Sequence, residues 1–204
     1  MGPLILHVMF HIASEHDESE IYEDEDSPVR LALVLIEALA EYLPEDHVLG
    51  PFVTRWPDMI ISTDKFQRRA ALAALTGIMR ASPESLNKFA DPLLRDILVV
   101  LKDPEGTVAR VALMALEQFA QELPDHISQN HASVVPPVFE LLSSKDLETV
   151  KVACNALDTV LECIPQDVLG PYLPTLMTAL VEILMTPIDP EVKCIVVCMS
   201  HFLK

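Results

Sequence analysis

A basic residue recurs along the chain at nearly constant spacing, and each one opens a similar apolar segment. The basic residues are Arg30, Arg69, Arg110, Lys151 and Lys193, which are 39, 41, 41 and 42 residues apart. The first four segments read RLALVLIEALAEYLP, RAALAALTGIMRASP, RVALMALEQFAQELP and KVACNALDTVLECIP, with alanine two positions after the basic residue and proline at the end. A period of about 40 residues with two helical stretches per unit predicts an all-α superhelix of stacked helix pairs.

This period is typical of HEAT and armadillo repeats, and it predicts a single array of about five helix pairs. The expected repeats are approximately 1–45, 46–84, 85–125, 126–166 and 167–204. First helices are expected near 3–14, 48–62, 83–101, 128–143 and 167–185, and second helices near 28–43, 65–81, 106–123, 147–164 and 190–204. Internal prolines predict that several first helices bend or start late: Pro57, Pro92, Pro136, Pro137, Pro171 and Pro174. The last segment stops before a closing proline, so we expect the solenoid to continue beyond this sequence.

The charge balance constrains the partners of the chain. The net charge is −17 with only 14 lysines and arginines, whereas nucleic-acid binding requires clustered cations that displace counterions. A basic protein is the expected partner, and direct binding of nucleic acid is not expected. The apolar opening MGPLILHVMFHIA lacks a basic start and is expected to be a helix. No apolar run reaches the roughly 18 residues of a membrane span, so membrane insertion is not expected.

Helical periodicity divides each second helix into a core face and an outward row. In the first unit the core face is expected to hold Ala32, Leu35, Ile36, Leu39 and Leu43. The outward rows, which should together form one continuous surface, are as follows: Arg30, Val34, Glu37 and Glu41; Arg69, Ala73, Thr76 and Arg80; Arg110, Met114, Glu117 and Gln121; Lys151, Asn155, Asp158 and Glu162.

Each recurring basic residue follows an aspartate by four to seven positions. These aspartates are Asp26, Asp64, Asp103, Asp146 and Asp189. A cation in the first turn of a helix is disfavoured by the helix dipole unless a carboxylate lies near. We therefore predict a structural ladder of contacts between neighbouring units, formed by these aspartates with Arg30, Arg69, Arg110, Lys151 and Lys193.

Some acidic residues lack a local structural reason. Glu37 with Glu41 and Asp158 with Glu162 are like charges four residues apart in the second half of a helix, which costs stability. Together with Glu117 they form a stripe that either binds a cationic ligand or is a solvated face of an acidic protein. Both interpretations stay open.

The segment 15–26, EHDESEIYEDED, contains eight acids and no base, and it is expected to be a flexible inter-helix loop. It either only increases solubility or attracts a basic partner by long-range electrostatics. The candidate binding residues in it are Glu20, Glu23, Asp24, Glu25 and Asp26.

The sequence does not favour an enzyme. It contains no HExxH, GxSxG, P-loop or GxGxxG motif, and no cofactor is expected. His7 and His11 are one helical turn apart but have no carboxylate or cysteine partner in sequence, so a metal site is not favoured. A metal-dependent repeat enzyme would need His-Glu motifs at repeated positions. A scaffold for protein assembly, such as a phosphatase, coat or chromosome-associated subunit, remains the alternative to a receptor for basic proteins.

The repeat columns, and above all the phrase VARVALMALEQFAQELPDHIS, resemble the karyopherin-β (importin-β) family of HEAT-repeat nuclear transport receptors. The resemblance covers essentially the whole chain. It implies that second helices line a concave face for cargo and the Ran GTPase, and that first helices line a convex face where nucleoporins dock. It also implies basic cargo such as histones or ribosomal proteins, no catalytic activity, and shuttling between cytoplasm and nucleus.

Overall fold

The structure is a computed structural model of the chain, and it describes residues 2–18 and 26–185 together with positions 190, 193 and 197. These residues form eleven α-helices and one short 3-10 helix, and no strand is present among them. The elements are α1 (Gly2–Ala13), α2 (Pro28–Tyr42), α3 (Glu45–Ile60), α4 (Lys65–Ala81), α5 (Pro83–Leu86), the 3-10 helix (Asn87–Phe89), α6 (Ala90–Val100), α7 (Gly106–Glu122), α8 (Pro124–Leu142), α9 (Leu147–Glu162), α10 (Gln166–Leu169) and α11 (Leu173–Met185). Most of the expected last second helix, 190–204, lies outside the described residues, as do Glu20, Glu23, Asp24, Glu25 and Asp189.

The helices form two layers. The second helices α2, α4, α7 and α9 contact one another in chain order, and we call them the second-helix layer. Each packs against the first helix of its own unit, through the pairs α1 with α2, α3 with α4, α6 with α7 and α8 with α9. This arrangement confirms the predicted all-α solenoid of helix pairs.

Proline has different effects in different first helices. In the third unit the first helix is divided into α5, the 3-10 helix and α6, and Pro92 lies in the first turn of α6. In the fifth unit α10 and α11 are separate, and Pro174 lies in the first turn of α11. By contrast, α3 continues through Pro57 and α8 continues through Pro136 and Pro137. Burial of their apolar faces outweighs the local cost of proline in these two helices.

Small residues bring the second helices close together. Four alanines and a glycine of α4 are buried at the contacts with its neighbours: Ala70, Ala71, Ala73, Ala74 and Gly77. A Cβ atom added at Gly77 would lie 3.2 Å from Cβ of Glu37 on α2. The expected outward row of α4 was wrong for three of its members. Arg69, Ala73 and Thr76 are buried, and only Arg80 is exposed.

Helix α2 differs from the prediction in the opposite direction, because residues expected to be buried are exposed. Leu35 of α2, which we expected in the core, is 50% exposed. Leu31, one helical turn earlier, is 51% exposed. The equivalent positions of α4, Ala70 and Ala74, are buried. The core face of α2 is instead centred on Val29, Ala32, Leu33, Ile36 and Ala40. These positions are thus covered in α4, which has a second helix on each side, and exposed in α2, which has one described second helix beside it.

None of the described helices is both long enough and apolar enough to cross a membrane.

Candidate functional site

Ion pairs join each of two second helices to the turn of the following unit. Arg68 of α4 donates from Nε to Oδ2 of Asp103 at 2.7 Å and from Nη2 to Oδ1 at 2.9 Å. Its Nη1 donates to the carbonyl oxygen of Ser62 at 2.7 Å. The two side chains are 12% and 7% exposed, so this is a nearly buried, bidentate pair. The predicted partner in this position, Arg69, is directed elsewhere.

The next contact of this kind involves the predicted residues. Arg110 Nη1 lies 2.5 Å from Oδ2 of Asp146. Asp146 also caps α9, because it accepts from the backbone N–H of Thr149 at 3.3 Å and from its hydroxyl at 2.6 Å. The hydroxyl of Thr149 and then the charge of Arg110 hold the pKa of Asp146 below its ordinary value. This aspartate therefore both starts a helix and joins two units.

The other members of the predicted ladder have other surroundings. Asp64 caps α4 by accepting from the N–H of Phe66 at 2.9 Å. Asp26 is exposed, and Lys151 and Lys193 are partly buried. Arg30 lines a cavity on the second-helix layer, described below.

The beginning of the acidic segment is fixed on α4. Arg69 Nη2 donates to the backbone oxygen of Asp17 at 2.5 Å, and Lys65 Nζ lies 2.8 Å from Oε2 of Glu18. The ring of His16 stacks on Phe66, with 4.6 Å between centroids and 19° between planes. These contacts explain why Arg69 is only 4% exposed. No sequence pattern indicated them, since they join residues about 50 positions apart, as in the Asp17–Arg69 separation of 52.

The acidic residues of α2 have a basic neighbour. Oε2 of Glu37 lies 3.2 Å from Nη2 of Arg80 on α4, and both side chains are partly exposed. Glu41 is exposed one turn further along α2. The negative charge of Glu37 is thus balanced within the protein.

Glu117 of α7 and Asp158 of α9 form a different kind of acidic pair. Burial raises the pKa of Glu117, and the charge of Asp158 raises it further. Burial followed by the same Asp158 charge raises the pKa of Cys154 to about 12. The Asp158 charge thus disfavours the ionised form of a carboxyl group on α7 and of a thiol on its own helix, at positions where water screens charge less than at an exposed surface. Glu162, one turn after Asp158, is exposed.

A cavity of about 210 Å³ lies beside Glu117 on the second-helix layer. It is bounded by side chains from three helices: Arg30 of α2, Thr76 and Arg80 of α4, and Met114, Glu117, Gln118 and Gln121 of α7. Its lining combines two guanidinium groups, one carboxylate and two amides. The sequence placed several of these residues in separate outward rows but did not indicate that they enclose a cavity.

The geometry of the described residues can be compared with the expectation that a metal site is not favoured. Within the part of the chain that the structure describes, no group of three or more His, Cys, Asp or Glu side chains is arranged to hold a metal ion. His7 is instead in contact with Arg55 of α3.

Comparison with known proteins supports the helical-repeat solenoid as the class of this chain and identifies its family. No protein-family model matches it. It is 35% identical over 191 residues to the probable importin subunit beta-4 of Schizosaccharomyces pombe, which covers 94% of this chain and 18% of the relative. It is 28% identical over 161 residues to human importin-4, which covers 71% of this chain and 15% of the relative. The chain belongs to the karyopherin-β (importin-β) family, and it spans less than a fifth of these relatives.

Solved structures show the same fold. The structure of Kap121p bound to RanGTP has a TM-score of 0.88 and 22% sequence identity, and it covers 99% of this chain and 21% of that one. Other structures of Kap121p contain Pho4p or Nup53p.

Proposed function

We propose that this chain contributes a cargo-binding surface to a nuclear import receptor, and that the surface binds basic segments of proteins such as histones or ribosomal proteins. The main observation is the partly buried carboxylate of Glu117, whose pKa is raised first by burial and then by the like charge of Asp158 on α9. A lysine ammonium or arginine guanidinium between α7 and α9 would relieve this repulsion. The pair would then bind a cation more favourably than an exposed carboxylate in full solvent.

Further carboxylates extend the proposed surface along the second-helix layer. Glu162 is exposed one turn beyond Asp158, and Glu41 is exposed on α2. Glu37 contributes less, because Arg80 already balances it. Each exposed ion pair with cargo would be weak by itself, so we expect affinity to come from several contacts along an extended segment.

The acidic segment 15–26 is proposed to raise the rate of encounter with basic cargo. Its described start is held against α4 by Arg69, Lys65 and Phe66, which fixes the attachment point at the N-terminal end of a second helix. A concentrated negative charge at that point would steer basic proteins toward the second-helix layer, and salt would weaken the effect. Asp26, Glu20, Glu23, Asp24 and Glu25 are the proposed contributors.

The family relationship supports the wider role. Kap121p has been solved with RanGTP, with Pho4p and with Nup53p. By analogy, we propose that the complete receptor works with the Ran GTPase, contacts nucleoporins and moves between cytoplasm and nucleus. We further propose that it acts by binding and not by catalysis.

The direct test is a titration with a labelled histone-tail peptide. We expect the double variant Glu117→Lys/Asp158→Lys to weaken binding at least about tenfold, because two attractive charges become repulsive. The matched control is Asp58→Lys/Asp167→Lys, which changes the net charge equally at exposed positions on first helices. Thermal unfolding of all variants would verify that they are folded.

The outcomes separate the proposal from a general charge effect. Binding that is lost only in the α7/α9 variant would support a cargo site there. Equal loss in both variants would mean that the acidity acts only as a nonspecific field. Equal affinity of the wild-type chain for the histone-tail peptide and for a scrambled peptide of the same composition would mean the same. Unchanged affinity would contradict the proposal and favour a scaffold.

A further inference from the structure

We propose that the cavity between α2, α4 and α7 binds an anionic side chain of the cargo, a carboxylate or a phosphate, and thereby fixes the register of the bound segment. This inference rests on the proposed function, because it concerns the same ligand on the same layer. It adds a requirement that basic charge alone does not impose. The cargo segment would need an acid close to its lysines or arginines.

The two walls of the cavity carry opposite charge. Arg30 and Arg80 come from the α2 and α4 side, and Glu117 comes from α7. Two other arginines of the second helices, Arg68 and Arg110, bind the turns between units. Arg30 and Arg80 border a space of about 210 Å³ that is large enough for a side-chain head group. Each guanidinium has five N–H donors, so a partner within the protein leaves donors for a ligand.

The chemistry of the lining fits an oxyanion. Guanidinium groups present planar N–H donors that match carboxylate and phosphate oxygens. The hydroxyl of Thr76 is already used, since it donates to the backbone oxygen of Leu72 at 3.0 Å. The amide of Gln118 likewise donates to Glu122 at 2.9 Å. The exposed side chain of Gln121 and the remaining N–H donors of the two arginines are the groups that would contact the ligand.

The ion pair between Arg80 and Glu37 does not prevent this role. The side chains of Arg80 and Glu37 are 41% and 32% exposed, and pairs with such exposure contribute little to stability. A guanidinium also has five N–H donors, so Arg80 can bind Glu37 and a cargo oxyanion together.

The position of Glu117 gives the bound segment a direction. Glu117 belongs both to the cavity and to the acidic pair with Asp158. A cargo cation between α7 and α9 would place neighbouring cargo residues toward α4 and α2, where the arginines lie. The acid of the cargo is thus expected on the α2/α4 side of its cation, so peptides with the acid before and after the lysine should differ in affinity.

The test is a double-mutant cycle between protein and peptide. A lysine-containing peptide is prepared with Gln, Glu or phosphoserine scanned over the positions on each side of its central lysine. Each peptide is titrated against the wild-type chain, Arg80→Ala and Arg30→Ala. Arg95→Ala is the control, since Arg95 is exposed on α6 in the other layer.

At the preferred position we expect Arg80→Ala to weaken binding of the Glu peptide about tenfold. The Gln peptide should bind Arg80→Ala as well as wild type or more tightly, because the variant leaves Glu37 more negative. Arg30→Ala should act in the same direction, and Arg95→Ala should have no effect on either peptide. A stronger response for phosphoserine than for Glu would identify phosphate as the preferred anion, and the reverse would identify carboxylate.

Equal effects of Arg80→Ala on the Glu and Gln peptides would overturn the inference. If Glu117→Lys weakens all peptides while Arg80→Ala shows no such coupling, only the anion site is wrong. If no peptide binds the wild-type chain, or Glu117→Lys has no effect, the proposed function and this inference both fail.

Discussion

Asp103 and Glu117 are partly buried carboxylates near contacts between neighbouring repeat units. They differ in the charges that surround them. Asp103 accepts two hydrogen bonds from Arg68 at 2.7 and 2.9 Å, in a turn where its side chain is 7% exposed. Burial and the charge of Asp158 on α9 both raise the pKa of Glu117. The first carboxylate is neutralised by the protein, and the second is in a negative environment.

The difference indicates different roles. A paired and nearly buried carboxylate holds two units together, and it offers little to a ligand because its oxygens are already bound. A carboxylate whose surroundings disfavour its charge lowers the stability of the fold and gains when a cation binds. The acidity of a residue in the sequence therefore does not say whether it is structural or available for binding.

The largest effect that distinguishes the two contacts is expected for Arg68→Ala. Removing Arg68 leaves Asp103 nearly buried without its bidentate partner, and breaking such a pair costs about 3 kcal/mol. We expect chemical denaturation to show this loss, while binding of a basic peptide under folding conditions is unchanged.

The matched comparison for this prediction is Arg110→Ala. Asp146 is 47% exposed, so water can replace its lost partner, and we expect a loss of about 1 kcal/mol or less. An equal loss for both variants would show that burial of the aspartate does not determine the strength of the contact.

A smaller effect is expected when the environment of Glu117 is made to resemble that of Glu37. Gln121 is exposed four residues after Glu117 on α7, so Gln121→Lys places a cation within reach of the carboxylate. We expect binding of an all-basic peptide to weaken about three- to tenfold, because the new lysine competes with the cargo cation. The control Gln67→Lys adds the same charge at an exposed position of α4. Equal weakening in both variants would contradict a local competition at Glu117.

The sequence predicted the features that depend on periodicity. The spacing of the basic residues and the small residues that follow them predicted the helix pairs and their order, because both follow from repeated packing in every unit. The sequence also indicated that the aspartates between helices have structural contacts, although helix capping by Asp64 and Asp146 was not among the expected ones.

Features that depend on the exact placement of neighbouring units could not be predicted. Arg68 and Arg69 are adjacent, and about 100° of helix rotation separates them, so the position of the next turn decides which one reaches Asp103. The balance between Glu37 and Arg80 likewise depends on the close approach of α2 and α4 at Gly77. Helical periodicity places such residues on a face but does not determine their partners on another helix.

The smallest effect, and the most informative about Glu117, is expected for Glu117→Gln. A raised pKa means that the folded chain holds this proton more tightly than the unfolded chain does. The stability contributed by Glu117 is therefore present below the unfolded pKa of about 4.3 and is lost as the pH rises through the higher folded pKa. We expect the variant to be more stable at pH 7 by about 0.5 kcal/mol or less, and this gain should disappear near pH 4.

The same variant should weaken binding of a basic peptide, since it removes the charge that the cargo cation would neutralise. Stability and binding would then change in opposite directions, which a purely structural carboxylate would not show. The control is Glu37→Gln, in which Arg80 loses its partner and no gain in stability is expected. A loss of stability in Glu117→Gln at pH 7 would mean that the protein itself compensates the Glu117 charge, and the contrast with Asp103 would no longer hold.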